Sequence, residues 1–164
     1  MNECGLLPLL SPDCKVLILG SYPSLMSLET GEYYANPRNM FWDIIGHILQ
    51  IPKNRSYQGR VSALMKSRVG LWDVYASCIR PNSADSSIKS PHPNDIQSLI
   101  KAHPGIRIIF LNGREAEKGF RLFFPDIHIR AEYLPSSSPA HAISLKDKTD
   151  AWSAVTGALH EKDE

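Results

Sequence analysis

Two predominantly apolar runs, at residues 16–19 and 106–111, constrain the fold of this chain most strongly. Each run ends in a turn residue, Gly20 after the first and Asn112 after the second. Runs this short, bounded by turn residues, are typical of strands that are buried on both faces. Because helical patterns separate the strands, the sequence predicts an α/β fold: a three-layer α/β/α sandwich around a central, mainly parallel four-stranded sheet. Further strands are predicted at 70–75 and 127–134, helices at 39–50, 61–67, 94–102, 114–124 and 145–160, and polar loops at 21–38 and 78–93.

Length and composition describe an ordinary globular chain. At 164 residues, the chain is expected to form a single domain, 1–164, with a short flexible tail at about 160–164. The hydrophobic fraction of 43% and the charged fraction of 21% are usual for globular proteins. The formal net charge is only +1, so any binding to nucleic acid has to rest on a local basic surface.

The cysteines and the first ten residues exclude several classes of protein. Cys4, Cys14 and Cys78 contain no C-x-x-C pair, which argues against a disulfide scaffold, a zinc knuckle or an iron–sulfur cluster. The apolar patch within 1–10 is short, is interrupted by Pro8 and has no basic lead-in. It therefore predicts neither a signal peptide nor a membrane span, and we expect a cytoplasmic protein.

Three loops begin where predicted strands end, at Gly20, Asn112 and Leu134. Parallel sheets bind ligands at the carboxyl ends of their strands, so these loops are candidates for a binding site. The first loop, Gly-Ser-Tyr-Pro-Ser at 20–24, combines a glycine that permits close backbone approach with a proline that stiffens the turn. It lacks both the Gly-Lys-Ser/Thr ending of a phosphate-binding loop and the later glycines of a dinucleotide fingerprint.

The segment 33–42, Tyr-Tyr-Ala-Asn-Pro-Arg-Asn-Met-Phe-Trp, is the most distinctive in the chain. Tyr34 lies in a polar loop at the predicted ligand edge, where an aromatic ring suits stacking on a base. Phe41 lies on a predicted helix that must bury one face, so packing against the sheet is the favoured explanation of its aromatic ring. Asn39 precedes that helix, where its side-chain oxygen can accept a hydrogen bond from a backbone N–H of the first turn.

These motifs together resemble the uracil-DNA glycosylase superfamily over about residues 15–150. The Ala-x-Pro-x-Asn-x-Phe-Trp pattern at 35–42 is similar to that of the mismatch-specific branch. Tyr22, however, stands where mismatch-type enzymes carry Asn and the classical uracil enzymes carry Asp. This departure, with Asn39 retained, resembles the hypoxanthine-DNA glycosylase branch, called family 6. The segment Leu-Pro-Ser-Ser-Ser-Pro-Ala at 134–140 resembles the closing motif of that branch; the His of the classical enzymes is absent from it, and His141 follows directly.

The resemblance implies a DNA glycosylase that rotates a deaminated base, hypoxanthine, out of single- or double-stranded DNA and hydrolyses its N-glycosidic bond. It assigns catalysis to Asn39, which would orient the attacking water or contact the leaving purine. Asn112 would pair through its carboxamide with O6 and N1–H of hypoxanthine. A monomer without metal, organic cofactor or membrane partner is implied. The other implied site residues are substrate-binding Gly20, Ser21, Tyr22, Tyr34 and Phe41, and DNA-binding Ser136, Ser137, Ser138, Pro139, Ala140 and His141.

Alternatives remain open for residues and for function. Asn112 is also explained as a turn residue, and a polar strand-end residue is expected to contribute little packing. Asp73, in Leu-Trp-Asp-Val, is interpreted either as a catalytic carboxylate or as a strand-end residue that holds backbone amides or a nearby arginine. The same fold can act instead on uracil or a mismatched pyrimidine, or serve as a non-enzymatic nucleotide-binding module. A positive rim for DNA is predicted from Arg38, Arg114, His141, Lys146 and Lys148.

Overall fold

Helices separate the strands at the predicted apolar runs along the chain. The structure is a computed structural model that describes residues 4–162. The strands are β1 (Val16–Gly20), β2 (Val69–Asp73), β3 (Tyr75–Ile79), β4 (Lys89–Pro93), β5 (Ile108–Asn112) and β6 (Arg130–Leu134). The helices are α1 (Leu25–Thr30), α2 (Phe41–Leu49), α3 (Tyr57–Lys66), α4 (Ile96–Ala102), α5 (Arg114–Phe123) and α6 (Leu145–Leu159), with a 3₁₀ turn at Asp85–Ser87.

Four of the strands form a parallel sheet in the order β2-β1-β5-β6. The register places Gly20 beside Asp73 and Asn112 beside Leu134. The carboxyl ends of all four strands therefore lie at one edge of the sheet. This arrangement confirms the predicted α/β fold with a central parallel four-stranded sheet.

Each face of the sheet packs into its own hydrophobic core. Val16 and Ile18 lie in one core together with the buried sides of α2, α3 and α6. Leu17 and Leu19, which alternate with them, lie in a second core with residues of α4 and α5. The apolar run of β1 is continuous because a strand covered on both faces has no side that faces solvent.

The segment 78–93, predicted as a loop, contains the end of β3, the 3₁₀ turn and β4, and the predicted strand 70–75 is divided between two sheets. β2 ends at Asp73, and Tyr75 begins β3, which pairs antiparallel with β4 in a separate two-stranded sheet. Most side chains of β4 are exposed. Strands are recognised in a sequence by apolar residues, either in alternation or in a continuous run, and the exposed strand β4 shows neither pattern.

Several helix starts also differ from the prediction, and α3 begins at Tyr57 rather than at residue 61. Asp95 rather than Asn94 caps α4, because its carboxylate accepts a hydrogen bond from the Ser98 N–H at 3.0 Å. Asn94 instead donates its side-chain N–H to the carbonyl of Asp73 at 2.8 Å, which ties the end of β2 to the start of α4. The predicted loop 21–38 contains α1, whose 6 residues are too few to display a helical period.

The predicted flexible tail at about 160–164 includes residues 163 and 164, which lie outside the described residues. Within the described part, the Glu161 carbonyl accepts a hydrogen bond from Lys15 Nζ at 2.8 Å, and its carboxylate pairs with Arg130 at 3.2 Å. Among residues 4–162, no helix is both long and apolar enough to cross a membrane.

Candidate active site

A cavity of about 580 Å³ opens at the carboxyl edge of the parallel sheet. Gly20 of β1, Asp73 of β2 and Asn112 of β5 contribute the strand ends that line it. The loops that follow β1, β3 and β6, and the segment before α2, also contribute to its walls. Most of the residues predicted for the site line this cavity, namely Gly20, Ser21, Tyr22, Tyr34, Asn39, Asn112, Ser136, Ser137, Ser138, Pro139, Ala140 and His141.

Tyr34 and Phe41 form a stacked aromatic pair in the cavity wall. Their ring centroids are 4.0 Å apart and their planes meet at 18°. Phe41 is completely buried and does not line the cavity; it covers one face of the Tyr34 ring instead. Tyr34 has a φ of 54°, in the left-handed region that costs a non-glycine residue about 1–3 kcal/mol. The surrounding contacts therefore hold this ring in place before any ligand arrives.

Asn39 both caps α2 and lines the cavity. Its Oδ1 accepts a hydrogen bond from the Phe41 N–H at 2.9 Å, so the predicted capping bond is present. The helix itself begins at Phe41, two residues after Asn39. Because a backbone N–H can only donate, this bond identifies which amide atom is the oxygen. The Nδ2 atom of Asn39 makes no hydrogen bond within residues 4–162, and its N–H groups are available to a ligand.

Asn112 is 6% exposed, and the protein itself engages its carboxamide. Its Nδ2 donates to Tyr34 Oη at 3.1 Å and to Ser137 Oγ at 3.0 Å, and its Oδ1 accepts from the Ser137 N–H at 2.9 Å. Both N–H donors are therefore used, and one lone pair of Oδ1 remains. The expectation that Asn112 contributes little packing is wrong, because it joins β5 to two separate loops. Asn112, Ser137 and Tyr34 are called the amide side of the cavity below.

Buried side chains of α6 hold the loop 135–141. Trp152 Nε1 donates to the Pro135 carbonyl at 2.8 Å, and Lys148 Nζ donates to the Ser138 carbonyl at 3.0 Å. Lys148 is fully buried, and this burial lowers its pKa. Its predicted place in an exposed positive rim is therefore wrong, since the side chain anchors the loop from inside.

Exposure varies among the other residues predicted to meet DNA. Ser137 is 1% exposed and its hydroxyl accepts a hydrogen bond from Asn112, so it faces the protein interior. The outer surface of the loop comes from its later residues. Pro139 and Ala140 are exposed, Ser136, Ser138 and His141 are half-buried, and the rim residues Arg38, Arg114 and Lys146 are exposed.

On the other side of β1 from Asn112, carboxyl groups rather than an amide line the cavity. Asp85 of the 3₁₀ turn accepts a hydrogen bond from Ser21 Oγ at 2.6 Å. Burial raises the pKa of Asp85, while the Ser21 hydrogen bond opposes this. The Arg80 guanidinium lies over the Tyr22 ring, 4.9 Å from its centroid, and donates to the Pro23 carbonyl at 2.5 Å. Asp85 and Asp73 of β2, which line the cavity, together with Arg80, which does not line it, are called the carboxylate side below.

Asp73 lies at the end of β2, and it is 4% exposed. Its Oδ2 is buried and has no hydrogen-bond partner in the described chain, so it does not hold backbone amides through that atom. Burial first, and then the Asp85 carboxylate, raise the pKa of Asp73 to about 7, while Arg80 partly opposes them. A Cβ atom on Gly20 would lie 2.5 Å from Asp73 Oδ1 and 3.0 Å from Tyr34 Oη. Only glycine fits where these two groups approach β1.

No feature of the sequence identifies Asp85 as a residue of the site. This residue lies in a Ser- and Asn-rich segment, 82–87, whose composition is typical of any surface loop. The segment connects β3 to β4, and this hairpin brings Asp85 back to the end of β1, a placement that local spacing does not indicate. As for metal binding, residues 4–162 contain no cluster of three or more His, Cys, Asp or Glu side chains arranged to hold an ion.

Comparisons with known proteins agree with this geometry. Residues 7–156 match the model of the uracil DNA glycosylase superfamily. A Methanosarcina acetivorans protein named hypoxanthine DNA glycosylase is 34% identical over 156 residues, which covers 94% of this chain and 98% of the relative. A Methanosarcina barkeri protein of the same name is 30% identical over 153 residues, covering 93% and 96%. The solution NMR structure of a Methanosarcina acetivorans protein, provisionally described as a uracil DNA glycosylase, matches with a TM-score of 0.86 and 33% identity over 98% of this chain and 100% of that one. The chain therefore belongs to the uracil DNA glycosylase superfamily.

Proposed function

We propose that the protein is a monofunctional DNA glycosylase that hydrolyses the N-glycosidic bond of hypoxanthine in DNA and leaves an abasic site. Asn39 supports this proposal most directly, because its Oδ1 is fixed by the capping bond while its Nδ2 donors stay free at the cavity. An amide held this way is a preorganised donor for the attacking water or for the negative charge that develops on the leaving purine. The two Methanosarcina relatives named hypoxanthine DNA glycosylase favour the same substrate.

The flipped purine would stack on Tyr34. A base has to leave the duplex stack before an enzyme can reach its glycosidic bond. The cavity of about 580 Å³ lies within the range usual for small-molecule sites, and it can take a purine together with its sugar. Since Phe41 already supports the Tyr34 ring, little side-chain entropy remains to be lost when the base arrives.

Asn112 would read the base with the lone pair that remains on Oδ1. Hypoxanthine presents an N1–H donor, which this oxygen can accept, whereas adenine presents a bare N1 acceptor and leaves both atoms unpaired. Pairing with O6 as well requires the amide to give up a bond to Tyr34 or to Ser137. We therefore assign Asn112 one contact to the base and a second role in holding the cavity wall.

The loop 135–141 would contact the DNA backbone, with its exposed residues Pro139 and Ala140 facing the gap that the flipped base leaves. Arg38 and Arg114 at the rim would supply phosphate contacts. We propose that the partner is single- or double-stranded DNA containing a deaminated base. In this proposal the protein acts in the cytoplasm as a monomer, with one glycosylase domain spanning 1–164.

Excision from defined duplexes tests this function. Oligonucleotides containing one deoxyinosine, one deoxyuridine, a G/T mismatch or no lesion are incubated with the protein and then treated with alkali. We expect strand cleavage at deoxyinosine. Cleavage only at deoxyuridine or at the mismatch would favour a pyrimidine-specific glycosylase of the same fold. Binding to DNA without any alkali-labile site would favour a non-enzymatic binding module.

A further inference from the structure

Asp73 is a buried group in the cavity wall to which the proposed function assigns no role. The side chain is 4% exposed, and its Oδ2 lacks a hydrogen-bond partner within residues 4–162. Its Oδ1 lies against Gly20, which Tyr34 Oη also approaches. Burying a polar atom without a partner lowers stability, and such atoms persist where a ligand or a reaction uses them.

Burial and the neighbouring charges together raise the pKa of the Asp73 carboxyl. Asp85 repels its negative charge from the 3₁₀ turn, and Arg80 attracts it from the end of β3. Burial dominates both, and the pKa of Asp73 rises to about 7. Tyr33 and Tyr34 face it as neutral hydroxyls, because burial raises the pKa of each well above its ordinary value. A carboxyl in these surroundings carries a proton that it can donate near neutral pH.

We propose that Asp73 is the general acid of the reaction, donating the proton of its carboxyl to a ring nitrogen of the flipped purine. This inference rests on the proposed function. The glycosidic C–N bond breaks, its electron pair goes to the purine, and the purine takes the Asp73 proton, so the base leaves as a neutral molecule. The oxygen of the attacking water bonds to the sugar carbon. The water loses a proton to solvent and the Asp73 carboxylate takes one back, so no other reactant is needed.

Asp73→Asn separates proton donation from hydrogen bonding, because an amide of similar shape can donate a hydrogen bond but cannot transfer a proton. We expect single-turnover excision of deoxyinosine to slow by roughly 10²–10⁴-fold, the usual contribution of a general acid. An acid works only while protonated, so the parental rate should fall as pH rises through about 7. In Asp73→Asn this alkaline decline should disappear. A melting curve establishes that the variant is folded.

Two neighbouring variants should move the alkaline decline in opposite directions. Asp85→Asn removes the charge that raises the pKa of Asp73, so the decline should shift to lower pH. Arg80→Gln removes the charge that lowers it, so the decline should shift to higher pH. A decline caused by titration of the substrate would not move with either substitution. A carbon-13 NMR titration of the Asp73 carboxyl in the free protein measures the same shifts without any substrate.

Each outcome decides the proposal. If the parental protein excises deoxyinosine and Asp73→Asn matches it at every pH, the acid role is overturned while the glycosylase function stands. A parental rate that rises with pH through the same range would indicate a base and also overturn it. If deoxyinosine is not excised, the proposed function fails; the pH profile is then measured on the base that is released. A carboxyl that ionises at its ordinary value in the NMR titration overturns the acid role whatever the substrate.

Discussion

The amide side and the carboxylate side of the cavity differ in how completely their polar groups are satisfied. On the amide side, Asn112 and its partners share hydrogen bonds of 2.9, 3.0 and 3.1 Å. On the carboxylate side, Asp73 Oδ2 and Arg80 Nη1 are buried and have no hydrogen-bond partner within the described chain. A satisfied network holds its side chains rigidly, whereas unsatisfied groups gain most when a ligand supplies partners. We infer that the amide side shapes the cavity and the carboxylate side acts on what enters it.

Asn39 has one amide atom that the protein engages and one that is free for a ligand, and its variants should show the largest effect. Asn39→Ala removes both the cap and the free donors, so we expect a loss of about a hundredfold or more in the single-turnover rate. Stability should fall by about 1 kcal/mol. Asn39→Ser and Asn39→Asp can cap the helix but lack the amide N–H groups. They should recover the melting temperature without recovering the rate, and a fully active Asn39→Ser protein would rule out a catalytic Asn39.

Asp73→Asn tests the carboxylate side through the pH dependence of the free energy of unfolding. Because the pKa of Asp73 is raised from 3.8 to about 7, the folded state binds more protons than the unfolded state between those values. The contribution of Asp73 to stability therefore decreases as pH rises through this window. The variant cannot ionise, so we expect it to melt several degrees above the parental protein at pH 8 and much closer to it at pH 4. An equal difference at both pH values would contradict a raised pKa.

Asn112→Ala should show the opposite behaviour, a loss of stability that does not depend on pH. The substitution leaves the buried Ser137 N–H without its acceptor and removes two donated bonds, which should cost about 1–3 kcal/mol. Asn36→Ala is the matched control, since Asn36 is half-buried and accepts one local hydrogen bond from the Arg38 N–H. Denaturant unfolding compares the two. If both variants lose the same free energy, the amide side is no more structural than the rest of the lining.

The sequence predicted what depends on burial along one element. β1 and β5 are covered on both faces, so their apolar runs indicate strands directly, and the alternation with helices indicates a parallel sheet. The capping bond of Asn39 is also local, because donor and acceptor are two residues apart. These features indicated the edge of the sheet at which the cavity opens, whereas most of its lining residues were implied by the resemblance to the glycosylase superfamily.

The sequence did not predict what depends on partners far along the chain. Lys148 was expected at the surface because lysine usually is, but α6 places it beneath a loop whose carbonyl accepts its hydrogen bond. Asn112 bonds to Ser137, 25 residues away, and to Tyr34, 78 residues away. Asp85 reaches Ser21 across 64 residues through a hairpin without an apolar pattern. Whether a polar side chain is free or hydrogen-bonded therefore depends on tertiary contacts, which the periodicity of the sequence does not reveal.

The smallest expected effect concerns Arg38, which lies at the rim of the cavity and belongs to neither the amide side nor the carboxylate side. Arg38 is exposed and forms no ion pair within residues 4–162, so a phosphate is a suitable partner for it. The logarithm of the DNA-binding constant should fall linearly with the logarithm of salt concentration, and Arg38→Gln should reduce that slope by about one. Lys146 is the control at the same rim, because Asp150 already pairs with it at 3.1 Å, and Lys146→Gln should change the slope less. Both variants should weaken binding to deoxyinosine-containing duplex and to undamaged duplex equally, because phosphate contacts carry no information about the base. A parental slope near zero would remove DNA as the partner, and an effect of Arg38→Gln limited to damaged DNA would mean that base recognition extends beyond the cavity to its rim.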